Sequence, residues 1–137
     1  MGISRTIAIA LAAGTLTAAA PAPDYGDEPS WENARNTVEV ALRAKMIDPA
    51  STRIRWPYRF ARGFTQHMFE QPHYGWWTCG RINSKGYAGA YVGEVWFTVV
   101  IRDGQIQSLE RGNTLVKLSD GRYDSAYNKG VSVLPPS

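Results

Sequence analysis

A single cysteine, Cys79, and two histidines, His67 and His73, are all the thiol and imidazole chemistry this chain holds. One thiol excludes an internal disulfide framework, and in an oxidising compartment it is left buried, reactive or paired with another chain. The spacing His67-x5-His73 matches no zinc set and one cysteine does not complete it, so no metal is expected. Phosphate-cradling glycine loops are missing as well. Gly86-x-x-Gly89 and Gly89-x-x-x-Gly93 fall within a strand pattern and lack the Lys-Ser/Thr ending and following helix that such loops need. The 12 acidic residues are scattered, with no pair spaced for acid–base work, and no cofactor is expected. Strong charge is also lacking. Fifteen basic residues leave a net charge of +3, too small to argue by itself for nucleic acid or an anionic membrane.

What is present begins with a basic start, Met1 to Arg5, and an uncharged run from Thr6 to Ala20 rich in Ala, Ile and Leu. This is the pattern of a secretory signal peptide, too short for the roughly 20 residues that span a bilayer. Small residues at Thr17 and Ala19 suit cleavage before Ala20. The expectation is a signal peptide over 1–19, an extended Pro-rich leader over 20–29 and a single domain over 30–137. No transmembrane segment is expected after cleavage, and the location is periplasmic or secreted. The mature chain is the size of one domain with one real core.

Ser30 can cap a helix in which Trp31, Ala34, Val38, Ala41, Leu42, Lys45 and Met46 recur at helical spacing. Glu32, Arg35, Asn36, Glu39 and Arg43 take the opposite side, and Glu39 with Arg43 is a favourable i, i+4 pair. The helix should end near Ile47, because Pro49 disfavours the α conformation at Asp48. The pattern then switches to period two in Thr52 to Trp56, with Ile54 and Trp56 on one face. Tyr58 to Gly75 has no clean period and reads as an irregular connection or a frayed strand pair. A strand is expected over Trp76 to Ile82. The clearest strand runs from Gly89 to Arg102, with Tyr91, Val95, Phe97, Val99 and Ile101 on the core face beside Gly89 and Gly93. On that reading the two glycines leave room for a ring against the backbone. Asp103-Gly104 is a hairpin signal returning as Gln105 to Arg111, where Ile106 and Leu109 fall on opposite faces unless a bulge intervenes. Thr114 to Leu118 is a further strand before a second Asp-Gly turn at Asp120-Gly121. The expected class is α+β: an N-terminal amphipathic helix packed on a mainly antiparallel sheet of about four strands.

Function is concentrated in Trp56 to Phe97, which holds 12 of the 16 aromatics, the cysteine and both histidines. That block is either the heart of a packed sheet or a stacking surface. Cys79, flanked by Trp76, Trp77 and Ile82, reads as a buried small hydrophobe, with inter-chain pairing and a catalytic thiol served by His73 or His67 as the alternatives. Arg53, Arg55, Arg59 and Arg62 interleave with Trp56, Tyr58 and Phe60. This reads as a solvated strand face or a surface for an anionic envelope component, and nucleic acid is not expected as a partner. Trp96, on the even face beside Glu94 and Thr98, and Tyr87 in the glycine-rich loop join Asn83 and Lys85 as the candidate binding residues. No catalytic residue is assigned.

Three segments together carry a resemblance. Asp48-Pro49-Ala50-Ser51, then Cys79-Gly80-Arg81-Ile82-Asn83-Ser84-Lys85 and Gly89-Ala90-Tyr91-Val92-Gly93 resemble a group of small exported proteobacterial proteins. Their pattern is Asp-Pro-x-Ser, Cys-Gly-x-Val-Asn-x-Lys and Gly-Gly-Tyr-x-Gly before a β-rich end. This chain departs at Ile82, at Ala90 and in the Gly86-Tyr87-Ala88 insertion. The resemblance implies a bacterial envelope protein and groups Cys79, Asn83, Lys85 and Tyr91, but implies no reaction. The function expected is therefore an exported, non-catalytic accessory or binding module with an envelope protein or ligand as partner. The alternatives are a cysteine-dependent enzyme using Cys79 and a subunit of a secretion or phage-derived assembly.

Overall fold

The computed structural model describes residues 14, 21–112, 114–118, 123–125, 134 and 136. The cleavage region at Ala19 and the Asp120-Gly121 turn lie outside them. Helix α1 spans Trp31–Ala44 and buries Ala34, Val38 and Leu42, the 3.6-period stripe. Ser30 occupies the N-cap position, where its carbonyl accepts from the Ala34 N–H at 2.9 Å and its side chain makes no capping bond. Glu39 lies 3.7 Å from Arg35 and 3.8 Å from Arg43, an ion-pair row along the flank. The helix stops three residues before Ile47. The Lys45 and Met46 N–H groups tighten onto the carbonyls of Leu42 and Arg43, and Asp48 then caps a separate 3-10 turn, Pro49–Ser51.

Among the described residues seven strands follow: β1 Arg53–Arg55, β2 Ala61–Thr65, β3 His73–Asn83, β4 Val95–Arg102, β5 Gln105–Arg111, β6 Leu115–Leu118 and β7 Tyr123–Ser125. All pairings are antiparallel in the order β5-β4-β3-β2-β6-β7, and β1 sits beside β2 along the same edge of β3. The expected α+β class with about four strands and an N-terminal helix is thus corrected. The chain is mostly sheet, and the one helix among the described residues begins at Trp31. The undercount has a physical cause in β2. Its inward positions are Ala61, Gly63 and Thr65, all small, with the Trp77 ring lying against Gly63, while Arg62 and Phe64 point the other way. Small-in and large-out erases the alternation by which strands are recognised.

Three residues, 112–114, join β5 to β6. Their reach from Arg111 to Leu115 is at most about 14 Å, whereas four strand spacings in a flat sheet come to about 19 Å. The sheet must therefore be curled, and the contacts agree. Glu110 of β5 pairs with His67, two residues past β2, and accepts from Thr114 Oγ1 at 2.8 Å at the entry to β6. Burial pushes the Glu110 carboxyl up, but hydrogen bonds from His67, Thr114 and Ser108 outweigh it and hold it below its ordinary value. The hydrogen bond to Glu110, with its charge, raises His67 above 6.5.

Curling gives the sheet two cores. On the convex face α1 covers Ile82, Phe97, Val99 and Ile101. There Trp56 stands edge-on to Trp31 and Phe97, with centroids 5.6 and 5.2 Å away, and its Nε1–H donates to Glu39 at 2.9 Å. The concave face gathers Trp77, Cys79, Val100, Val116, Leu118 and Leu134. Each large side chain taken fully out of water contributes about 1.5–3 kcal/mol, so β4, buried on both faces, anchors both cores. The register shift between Val100 and Ile101 is the bulge that the β5 pattern required, and it turns Ile106 and Leu109 onto the same helix-side core. At the turn Asp103 and Gly104 have φ of +52° and +76°, both left-handed as a two-residue hairpin demands. The segment after Pro21 lies against the sheet: Trp76 Nε1–H donates to Gly26 O at 3.0 Å, and Tyr25 meets Tyr74 edge-on. No helix among the described residues is long and apolar enough to cross a membrane.

Candidate functional site

The end of the sheet where β3 leaves and β4 begins is organised around Ser51. The Ser51 N–H is capped by Asp48 Oδ1, its Oγ accepts from the Lys85 N–H at 2.9 Å, and its carbonyl accepts from Tyr91 Oη at 2.9 Å. Asn83 Oδ1 accepts from the Gly93 N–H at 3.0 Å, and the Lys85 ammonium lies 5.7 Å from the Tyr91 ring centroid. Segments Asp48–Ser51, Asn83–Lys85 and Tyr91–Gly93, distant in sequence, thus meet in one hydrogen-bonded unit that fixes the 84–94 loop. Asn83 and Lys85 are engaged in holding that loop. Tyr87 stands at its tip, 93% exposed.

Strand β4 begins at Val95 rather than Gly89, which corrects the reading of the glycines. Gly93 has φ +108°, is exposed, and a Cβ there would meet nothing within 4 Å. Its role is a backbone turn that L-residues rarely make, not a space for a ring. Tyr91 accordingly lies in the loop, half-buried beneath the Arg53 guanidinium at 4.2 Å, and not on the core face of a strand. Close-packing glycines exist elsewhere: a Cβ on Gly80 would lie 2.6 Å from Phe97 Cζ and from Arg55 O.

Trp96 leads to the site. The β1–β3–β4 register puts Arg55, Arg81 and Trp96 side by side on one sheet face. The Arg81 guanidinium lies 4.5 Å over the Trp96 ring, a contact favoured by the ring quadrupole. Arg55 Nη1 donates to Glu94 Oε1 at 3.1 Å and Arg81 Nη1 to Glu94 Oε2 at 3.4 Å. Two cations therefore share one carboxylate and retain a net positive charge. Beside them opens a cleft of about 410 Å³ lined by Arg55, Trp56, Pro57, Tyr58, Arg81 and Trp96. Its chemistry is that of recognition: planar cations on one wall and flat apolar groups on the others.

Of the four candidate binding residues, Trp96 alone lines this cleft. The arginine series of the sequence is divided: Arg53 and Arg55 face this end, whereas Arg59 stacks near Trp31 at 5.6 Å and Arg62 near Trp76 at 5.3 Å. Arg81 joins the site only through its pairing with Arg55, 26 residues away, and Glu94 by reaching both guanidiniums from just before β4, relations that alternation within one strand does not carry. Cys79 is buried in the concave core, 1% exposed. His73 lies on the same strand six positions away, about 20 Å at strand rise, and His67 is engaged with Glu110. Neither imidazole is brought to the thiol. No family model, curated protein or solved structure matches the chain, so the functional reading rests on residues and geometry.

Proposed function

We propose that this chain is an exported, non-catalytic binding module of the bacterial envelope, working from the periplasm or after secretion, and that its ligand seats in the cleft beside Arg55, Arg81 and Trp96. The export pattern of the first 20 residues supports the location. The observation that carries the binding reading is the convergence of two guanidiniums and an indole on one cleft. Charged and aromatic groups that meet across three strands, at the sheet end held by the Ser51 unit, form a rigid receptor, and pre-organisation lowers the cost of binding.

Site-specific photo-cross-linking in an exporting bacterium tests it. A photoreactive phenylalanine analogue at Tyr58 or Trp96 should yield an adduct in the envelope fraction. The same analogue at Val40, 70% exposed on α1, should yield none. Equal labelling from Val40, or retention of Met1 on protein that never leaves the cytosol, contradicts the reading.

A further inference from the structure

Resting on the cleft reading above, we infer that the ligand presents an anionic group with two or more oxygens, a phosphate or a carboxylate, attached to a flat apolar body. The anion competes with Glu94 for Arg55 and Arg81. Glu94 already shows the fit: Arg55 Nη1 reaches both of its oxygens and Arg81 Nη1 donates to Oε2, from guanidiniums on different strands. Arginine forks match carboxylate and phosphate because several N–H donors lie in one plane. Each guanidinium commits Nη1 to Glu94, which leaves further donors on both arginines for a second anion.

Exchange is feasible because the resident pairs are exposed. The Arg55 side chain is 67% exposed, Arg81 40% and Glu94 36%, and ion pairs in such positions hold weakly against solvent and salt. Glu94 also lies outside β4, in the exposed backbone just before Val95, so its release breaks no strand pairing. The apolar requirement comes from the rest of the lining. Pro57, Tyr58 and Trp96 offer apolar surface next to the cations, so a bare anion leaves most of the cleft unfilled and a ring or hydrocarbon stem attached to it does not.

Calorimetric titration of the full folded chain with phenyl phosphate, inorganic phosphate and neutral benzyl alcohol tests the inference. Phenyl phosphate should bind more tightly than inorganic phosphate. Glu94→Gln should tighten it about tenfold by removing the competitor, and Arg55→Gln or Arg81→Gln should weaken it at least tenfold. Unchanged thermal unfolding of these exposed-site variants confirms that they are folded. Sedimentation with phosphatidylglycerol vesicles, set against titration with glycerol phosphate, separates the sources. Vesicle binding without glycerol phosphate binding assigns a lipid headgroup, and the reverse assigns a free anion. Benzyl alcohol binding as well as phenyl phosphate would overturn the anion and leave the cleft standing. Absence of phenyl phosphate binding, or a Glu94→Gln affinity that is unchanged or weaker, overturns the inference.

Discussion

Replacing Gly63 by alanine adds one methyl group directly against the buried Trp77 and Val116. An ideal Cβ there lies 2.6 Å from Trp77 Cδ1, 2.9 Å from Trp77 Nε1 and 2.9 Å from Val116 Cγ1. Carbon atoms at rest need about 3.5–4.0 Å, so the neighbours must retreat by roughly 1 Å. Trp77 and Val116 are both fully buried, which leaves them nowhere to go without disturbing Val100 and Leu118 in the same core. Overpacking of this kind costs about 1–3 kcal/mol, even though alanine is otherwise the better residue by backbone entropy. In urea, with a slope of about 1–3 kcal/mol/M, a loss near 2 kcal/mol lowers the midpoint by roughly 1 M. The cause can be isolated by a double-mutant cycle with Trp77→Phe, which removes the pyrrole edge facing the new methyl. The combined cost should fall short of the sum by about 1 kcal/mol. Strict additivity, or a neutral Gly63→Ala, would refute the packing of β6 across β2 onto Trp77.

Gly93→Ala should cost about 1–2 kcal/mol through its positive φ, and since the Cβ meets nothing, Gly93→Val should add little more; a valine penalty far above the alanine penalty would restore the packing role. Cys79 should react with a thiol reagent only at the rate of unfolding, and fast modification of the native protein would contradict its burial. Ser51→Ala removes the acceptor of the Lys85 N–H and should lower stability by about 1–3 kcal/mol, with loss of hydrogen-exchange protection concentrated in the 84–94 loop; protection that remains there would show the unit to be dispensable. The His67–Glu110 contact makes stability depend on pH in a definite window. The raised His67 contributes fully below 6.5 and loses its contribution as pH climbs through its folded value, while the lowered Glu110 contributes above 4.5 and loses it in acid. The thermal midpoint of the wild type should therefore exceed that of His67→Gln near pH 5.5 and converge with it above neutrality; a gap that widens toward pH 8 would reverse the assignment.

Local patterns were readable wherever one face meets a core and the other meets solvent. The α1 stripe of Ala34, Val38 and Leu42 is such a case, as are the Ile54–Trp56 face and the Asp103-Gly104 turn. The β5 conflict between Ile106 and Leu109 even announced its bulge. Two kinds of information were not local. In β2, small inward residues imitate a loop, and at Gly63 only the Trp77 ring on the neighbouring strand explains the choice. In the 89–94 segment, Gly89 and Gly93 alternate with larger residues as a strand would, yet φ of +75° and +108° makes them turns. The site divides in the same way. Trp96 was visible as the even-face aromatic, and Arg55 as part of a basic series. Arg81 and Glu94 acquire meaning through the β1–β3 and β3–β4 registers. Asn83 and Lys85 meet Tyr91 in a loop-holding unit built by residues distant in sequence.

Fluorine NMR on protein carrying 5-fluorotryptophan tests the central claim, that an anion seats at Arg55, Arg81 and Trp96, most directly. The chain has five tryptophans, and a Trp96→Phe variant assigns the resonance of interest. On titration with phenyl phosphate the Trp96 signal should move saturably, the fully buried Trp77 signal should stay in place, and the Trp96 shift should vanish in Arg81→Gln. A Trp96 signal that does not move while phenyl phosphate binds, or equal movement of all five, would contradict the site.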